Sequence, residues 1–423
     1  MSARRGLALI VGVALALLAP SAAQAHVISG LVGDVPSGYH AHITSLPMRE
    51  TDLPYNGGRV LHSNRTHPIF WQPAGSVLAF DPGYEALIEK FLTDVAADSH
   101  KTTNVYSVSG QYTDSTGPAA YDSTYGGAVI DTDPLPPNGC TEPPTGPGWS
   151  VCLTDDQLET ELEHVVATDD LPTGGGNIYF IITPDGFGSC TDAGSSSCAL
   201  GGSQNGYCGY HSETPSRILY AVIPYNAVAG HCQSSNPRPN SSTADPTIST
   251  ISHEHNETVT DPDGNAWIDA QGDEEADLCL TSFGPSLNAA RDPGATPWNE
   301  AINGDHYFLQ EEWSNASSAC EPRAKPDSLS FAMTHQHGRE RLVAFTAHGS
   351  DPDGHLVSFQ WMFGDGRIAS GRHVSHLFKG AGSYRIMLRA TDSWGNWVIS
   401  GRTLRVKPRQ SQSQAPGQSQ GQT

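Results

Sequence analysis

The stretch Ile251–Asp269, ISHEHNETVTDPDGNAWID, holds the residues most able to do chemistry. His253 and Glu257 stand four apart, one helical turn, so an imidazole and a carboxylate leave the same face. Such a pair can grip a divalent cation, and Glu254, beside the histidine, is placed to act as the general base that activates water. The pattern departs from the His-Glu-x-x-His signature of zinc peptidases, because the carboxylate of Glu257 replaces the second imidazole. An anionic donor reduces the charge that the cation exerts, which argues for weaker hydrolysis or a metal other than zinc. The competing reading is a solvated helix face on which His253 and Glu257 form a favourable i,i+4 pair.

A third donor is needed. Downstream, GDEEADLC (Gly272–Cys279) offers Asp273, Glu274, Glu275 and Asp277. The spacing is similar to families in which a second helix supplies a glutamate ligand and a following aspartate orients the first histidine. That resemblance implies Glu274 as the ligand and Asp277 as the support of His253. Asp263, ten residues after His253, is the rival, although TDPDGN reads first as a turn; Asp277 is itself an alternative third ligand. The candidate set is therefore Glu254 for catalysis and His253, Glu257, Glu274 and Asp277 for the metal, with zinc as the expected ion.

The motif needs a helix to hold it. Asp245 is expected to cap that helix, Pro246 suits its first turn, and Asp261-Pro262 ends it. Ile248, Ile251, His255 and Val259 share the opposite face, which makes His255 a core histidine. Leu87, Phe91 and Val95 mark a second helix over Gly83–Ser99. Leu158, Leu162 and Val166 mark a third over Asp155–Val166, leaving Glu161 and His164 as ordinary surface residues. NIYFIITPDG (Asn177–Gly186) and RILYAVIPY (Arg217–Tyr225) read as buried strands. The main body is thus an α+β domain.

Along the chain, residues 1–25 read as a secretory signal: a basic start, an apolar run and a small-residue cleavage site. The main domain covers 26–320, a Pro-rich linker 321–328, a second module 329–408, and a low-complexity, disordered tail 409–423. No segment reads as a membrane span. The eight cysteines all lie between 140 and 320. In a secreted chain they imply up to four disulfides, whose pairing the sequence leaves open. Residues 26–322 carry 8 Lys and Arg against 39 Asp and Glu, whereas residues 323–423 carry 13 against 6. So acidic a body excludes nucleic acid and anionic membrane surfaces as partners, and suits cations or neutral and basic substrates.

Two resemblances follow. In the second module, Phe359, Trp361 and Phe363 alternate, as do Tyr384, Ile386 and Leu388, the pattern of a small antiparallel sandwich. DPDG (Asp351–Gly354), WMFGDG (Trp361–Gly366), HLF (His376–Phe378), GSY (Gly382–Tyr384) and TDSWG (Thr391–Gly395) resemble the polycystic-kidney-disease (PKD) repeat. That implies an all-β immunoglobulin-like sandwich acting as a spacer or binding module. Asp365 is then a turn residue, with calcium (Ca2+) binding as the lesser reading.

In the main domain, YNGGRVLHSNRTHPIFWQP (Tyr55–Pro73), YCGYHS (Tyr207–Ser212), the 251–269 motif, EEADLC and LQEEWSN (Leu309–Asn315) resemble the phosphate-induced, EXORDIUM-like secreted proteins. The resemblance implies a zincin-like extracellular or cell-wall protein and brings no established reaction with it. His211, in YCGYHS, is expected to be a structural histidine beside a disulfide, with an additional active-site residue as the lesser reading. The sequence therefore points to a secreted zinc-dependent hydrolase, most plainly a peptidase; the alternative is a non-catalytic binder of an extracellular protein or cell-wall polymer.

Overall fold

The computed structural model describes residues 28–29, 52–144, 146–200, 206–287, 294–323, 328–336, 339–350, 356–392 and 397–407. The signal segment, the tail, DPDG and most of TDSWG lie outside the described residues. The main domain runs through β1 (Ile28–Ser29), β2 (Asn64–Trp71), α1 (Tyr84–Ala97), β3 (Ser123–Tyr125), β4 (Val129–Asp131), β5 (Val151–Thr154) and α2 (Asp155–Thr168). It continues through β6 (Asn177–Ile182), β7 (Phe187–Cys190), β8 (Cys198–Ala199), β9 (Gly206–Tyr207), β10 (Tyr210–Glu213), β11 (Leu219–Ile223) and α3 (Ala244–Thr260).

One mixed sheet has the order β1-β10-β11-β6-β2-β3, with β4 also on β2. Its centre is parallel, from β11 through β6 to β2 and its partners, whereas β10 and β1 run antiparallel at one edge. Central parallel strands are covered on both faces, which is why β6 and β11 read as unbroken apolar runs. Ile178, Phe180 and Ile182 of β6 face a core shared with α1 and α3. Tyr179 and Ile181 face a second core that takes in Leu158, Leu162 and Val165 of α2. The smaller sheet β5-β7-β8-β9 contributes to this second core through Leu153, Phe187 and Ala199.

α2 opens with a capping box, Thr154 and Gln157 reciprocally bonding each other's backbone. α3 does not start as expected: Asp245 lies within its first turn rather than at the cap. From there its carboxylate accepts the Ser242 N–H at 3.0 Å. The helix ends before Asp261-Pro262, as the proline requires.

The eight cysteines pair in chain order, 140–152, 190–198, 208–232 and 279–320, the use of cysteine that an oxidising compartment permits. Among the described residues, no helix is long and apolar enough to cross a membrane.

Gly176, at the turn into β6, has φ +77°, and a Cβ there would sit 2.4 Å from the Ser63 carbonyl oxygen. Gly176→Ala is expected to lower stability by about 1–3 kcal/mol, read as a fall in the urea midpoint.

The C-terminal module is a two-sheet sandwich. Strands Ser328–Gln336, Arg339–Ser350 and His373–Leu377 face Ile368–Ser370, Leu356–Met362, Gly382–Asp392 and Trp397–Val406. Trp361 is buried at its centre against Phe331 and Phe345, and its indole N–H donates to the Gly371 carbonyl at 2.9 Å. Phe359, Phe363, Ile386 and Leu388 join that core, as their alternation predicts. Asp365 sits in a turn between Gly364 and Gly366, both at positive φ. Its carboxylate accepts the Arg367 N–H and meets His376 Nε2 at 2.8 Å.

Candidate metal centre

α3 has no solvated face: every residue from Ala244 to Thr260 is buried. The competing reading of a wet helix surface is therefore overturned. Ile248, Ile251 and Val259 enter the apolar core. His255 joins them, bonded through Nε2 to Asn64 Oδ1 at 2.8 Å and set edge-on to Phe180. Burial lowers its pKa to about 3, so it is neutral and structural, as its place on the apolar stripe implies.

The other side of α3 meets three segments: β10, the turn through Glu274–Cys279, and the strand Glu312–Ser314. Gly209, just before β10, lets that strand close on the helix; a Cβ there would lie 2.7 Å from Thr250 Cγ2 and 2.8 Å from Glu254 Oε1.

Two donor trios result, and Glu257 belongs to both. In the first, His253 Nε2 lies 3.2 Å from Glu257 Oε1 and 3.5 Å from Asp277 Oδ1. In the second, His211 joins Glu257 and Glu274: its Nδ1 is 3.8 Å from Glu257 Oε2 and its Nε2 is 3.7 Å from Glu274 Oε2. Donors around a tetrahedral cation with ~2.1 Å bonds stand about 3.4 Å apart, close to the separations in the first trio.

The hydrogen bonds orient the imidazoles. His253 Nδ1 faces Gln310 Oε1 at 3.4 Å, and Gln310 is turned that way because its amide nitrogen donates to the Ala276 carbonyl. The proton of neutral His253 therefore belongs on Nδ1, leaving the Nε2 lone pair aimed at Glu257 and Asp277. Likewise His211 Nε2 meets the Asp261 carbonyl at 3.2 Å, which leaves Nδ1 aimed at Glu254 Oε2, 3.4 Å away. Lone pairs facing carboxylates leave unsatisfied acceptors. His253 Nε2, Glu257 Oε2, Asp277 Oδ1 and both Glu274 oxygens are buried with no hydrogen-bond partner. A cation within the first trio would satisfy His253 Nε2 and Asp277 Oδ1 together, so that donor set fits a divalent metal; the Glu274 oxygens belong to the second trio.

The electrostatics agree. Glu254, Glu257, Glu274, Glu275 and Glu312 are wholly buried, and no Lys or Arg lies between Arg238 and Arg291. Burial pushes Glu254, Glu274, Glu275 and Glu312 well above the usual carboxylate range, with neighbouring carboxylates adding to it. Burial and the charge of Asp277 push Glu257 up to about 7, against the pull of His253. Burial works against a charged His253, yet the charge of Glu257 and the adjacent Asp277 carboxylate as acceptor raise it well above the ordinary histidine value. Burial lowers His211 to about 4. A proton on His253 and a cation at Nε2 are alternative ways of meeting the same negative field.

Several expected roles change. Asp277 does not orient His253 from behind; it shares the Nε2 side with Glu257, and Gln310 does the orienting. Glu274 pairs with His211 rather than with His253 in the close groupings. Asp263 is elsewhere, in a bidentate pair with Arg59 at 2.8 and 3.0 Å. His211 is more than a histidine beside a disulfide, since it faces Glu254, Glu257 and Glu274. Sequence reasoning missed Glu312 and the place of Glu275. Glu275 accepts from Ser109 Oγ at 3.0 Å, and Glu312 from Asn256 Nδ2 at 3.3 Å. The acidic run EEADLC and the pair in LQEEWSN were the signals available.

Comparison with known proteins concerns mainly the C-terminal module. Residues 326–403 match the model of the PKD domain. A stretch of 66 residues is 38% identical to Collagenase ColQ1 of Bacillus cereus (strain Q1); it covers 15% of this chain and 7% of that protein. The chain thus spans a small fraction of that relative's length. The PKD1 domain of Vibrio anguillarum Epp is 30% identical, over 20% of this chain and 95% of that one, with a TM-score of 0.19. OgpA from Akkermansia muciniphila is 10% identical over 86% of this chain and 97% of its own, with a TM-score of 0.23. The C-terminal module is a PKD domain.

Proposed function

We propose that the main domain is a zincin-like, metal-dependent hydrolase acting on peptides outside the cell. His253, Glu257 and Asp277 hold a divalent cation, zinc by our reading, with Glu274 and His211 at the far oxygen of Glu257. When bound, the metal supplies Lewis-acid polarisation of a carbonyl and a lowered pKa for water.

The observation that carries the reading is the state of Glu254. It follows a metal donor directly, belongs to neither trio, and its Oε1 is buried without a partner. A purely structural centre has no use for an additional unpartnered carboxylate, whereas hydrolysis needs one to take a proton from water. His211 Nδ1, 3.4 Å from Glu254 Oε2 and bearing the lone pair, would receive the proton that Glu254 takes from water.

A peptide substrate is supported by the neighbouring sheet edge. β1 lies antiparallel on β10, with Ser29 opposite His211, so an extended backbone of this chain already runs beside the centre, in the geometry a peptide would take if it displaced β1. The resemblance of the main domain to EXORDIUM-like proteins belongs to the same reading. The PKD domain would dock the enzyme on an extracellular protein or cell-wall polymer; a 66-residue stretch of the chain is 38% identical to part of a collagenase.

A second reading rests on burial. His253, Glu254, Glu257 and Glu274 have no exposed surface, which suits a structural cation in a non-catalytic binding protein.

Metal analysis by mass spectrometry on the purified chain and on His253→Ala, beside a peptide-library digest, tests both. Zinc lost in the variant, with peptide cleavage by the wild type, is the expected result. Metal without cleavage of any peptide supports the binder. Folded protein with no metal removes the centre altogether.

A further inference from the structure

A second group of carboxylates lies where the end of β4 meets α2, across the sheet from α3. Asp131, Asp133 and Glu161 each present an oxygen within 4.8 Å of the others. Helical spacing makes Glu161 an ordinary surface residue, yet the structure folds it against the end of a strand distant in sequence. Asp131 is only 5% exposed. Its Oδ1 accepts the Asp133 N–H at 2.8 Å, and its Oδ2 is buried without a hydrogen-bond partner. Glu161 Oε1 is also buried and unpartnered.

Helix surfaces and turns do not ordinarily strand acceptors in this way, because an unpaired buried carboxylate oxygen is costly. Positive charge is scarce here, since no Lys or Arg occurs between Lys101 and Arg217. His164, largely exposed, meets the outer oxygen of Asp133 at 3.1 Å. Burial, then the charges of the neighbouring carboxylates, push Asp131 up to about 6 and Glu161 up to about 7.

We propose that Asp131, Asp133 and Glu161 bind a hard divalent cation, calcium by the all-oxygen donor set, which ties the end of β4 to α2. Carboxylate oxygens without sulfur or a committed imidazole select calcium or magnesium over zinc. The half-buried Asp133 leaves one side open, so the ion keeps water ligands and exchanges with the medium. Affinity in the range of extracellular calcium modules, Kd about 10⁻⁴–10⁻³ M, follows from so partial a donor set. The ion would also steady the segment after β4, which the Cys140–Cys152 disulfide closes.

The test is thermal melting and calorimetric titration of the full chain, carrying its α3 metal, in buffer freed of calcium. Millimolar calcium chloride is expected to raise the wild-type melting temperature by several degrees and to give a saturable heat. Asp131→Asn and Glu161→Gln should each abolish both while leaving the metal content of the α3 centre unchanged. Both substitutions relieve repulsion, so the variants should fold. No calcium response in the wild type overturns the proposal, and so does a response that survives both substitutions.

Discussion

Glu254→Gln is expected to lower kcat on a cleavable peptide by about 10²–10⁴-fold while leaving bound metal at the wild-type level. Glutamine keeps the shape of the side chain and still fills the space beside Gly209, but it cannot take a proton. The donors His253, Glu257 and Asp277 are untouched, so chemistry and metal retention should separate. KM should move little, because the lost interaction belongs to the transition state. Measurement needs steady-state kinetics and metal analysis on the same preparation. Unchanged kcat would remove Glu254 from the mechanism. Loss of metal together with rate would instead make Glu254 part of the ligand field.

Stripping the metal is the second large effect. Chelation is expected to destabilise the main domain by about 3–5 kcal/mol. The reason is the company that His253 keeps: buried carboxylates, with unpartnered oxygens, that only a cation or protons can reconcile. The PKD domain has its own core around Trp361 and should be indifferent. Calorimetry of the chain with and without chelator should show one transition moving down and the other fixed. If neither transition moves, protons rather than a metal occupy the cluster, and the hydrolase reading goes with it.

Much of this was legible in the sequence. The sandwich strands announced themselves through Phe359, Trp361 and Phe363, and α3 through the spacing of Ile248, Ile251 and Val259. His253, Glu254 and Glu257 are local, and helix geometry alone puts them on one side. What escaped is what a helix cannot encode. His211 reaches the cluster because β10 pairs with β11 and Gly209 permits the approach. Glu312 arrives by a strand far along the chain. Gln310, rather than Asp277, sets the tautomer of His253, and no spacing rule finds a glutamine. Asp131 and Glu161 were hidden for the same reason: a strand end and a helix meet only after the sheet forms. Asp263 failed as a ligand because Arg59, distant in sequence, claims it.

The Cys279–Cys320 disulfide joins segments that carry metal donors and their supports. Asp277 sits two residues before one half-cystine, and Gln310 and Glu312 lie within the loop that the bridge closes. In the chain-entropy account, closing a loop of that length contributes about 4 kcal/mol. Loading of the proposed centre would therefore depend on where the chain matures. Made in a reducing cytoplasm, it would hold His253 and Glu257 on α3 without a fixed partner wall. A chain that crosses into an oxidising medium would acquire that wall with the disulfide, and with it the second side of the proposed metal site. Under the proposed reading, export would act as the checkpoint that keeps the centre silent inside the producing cell.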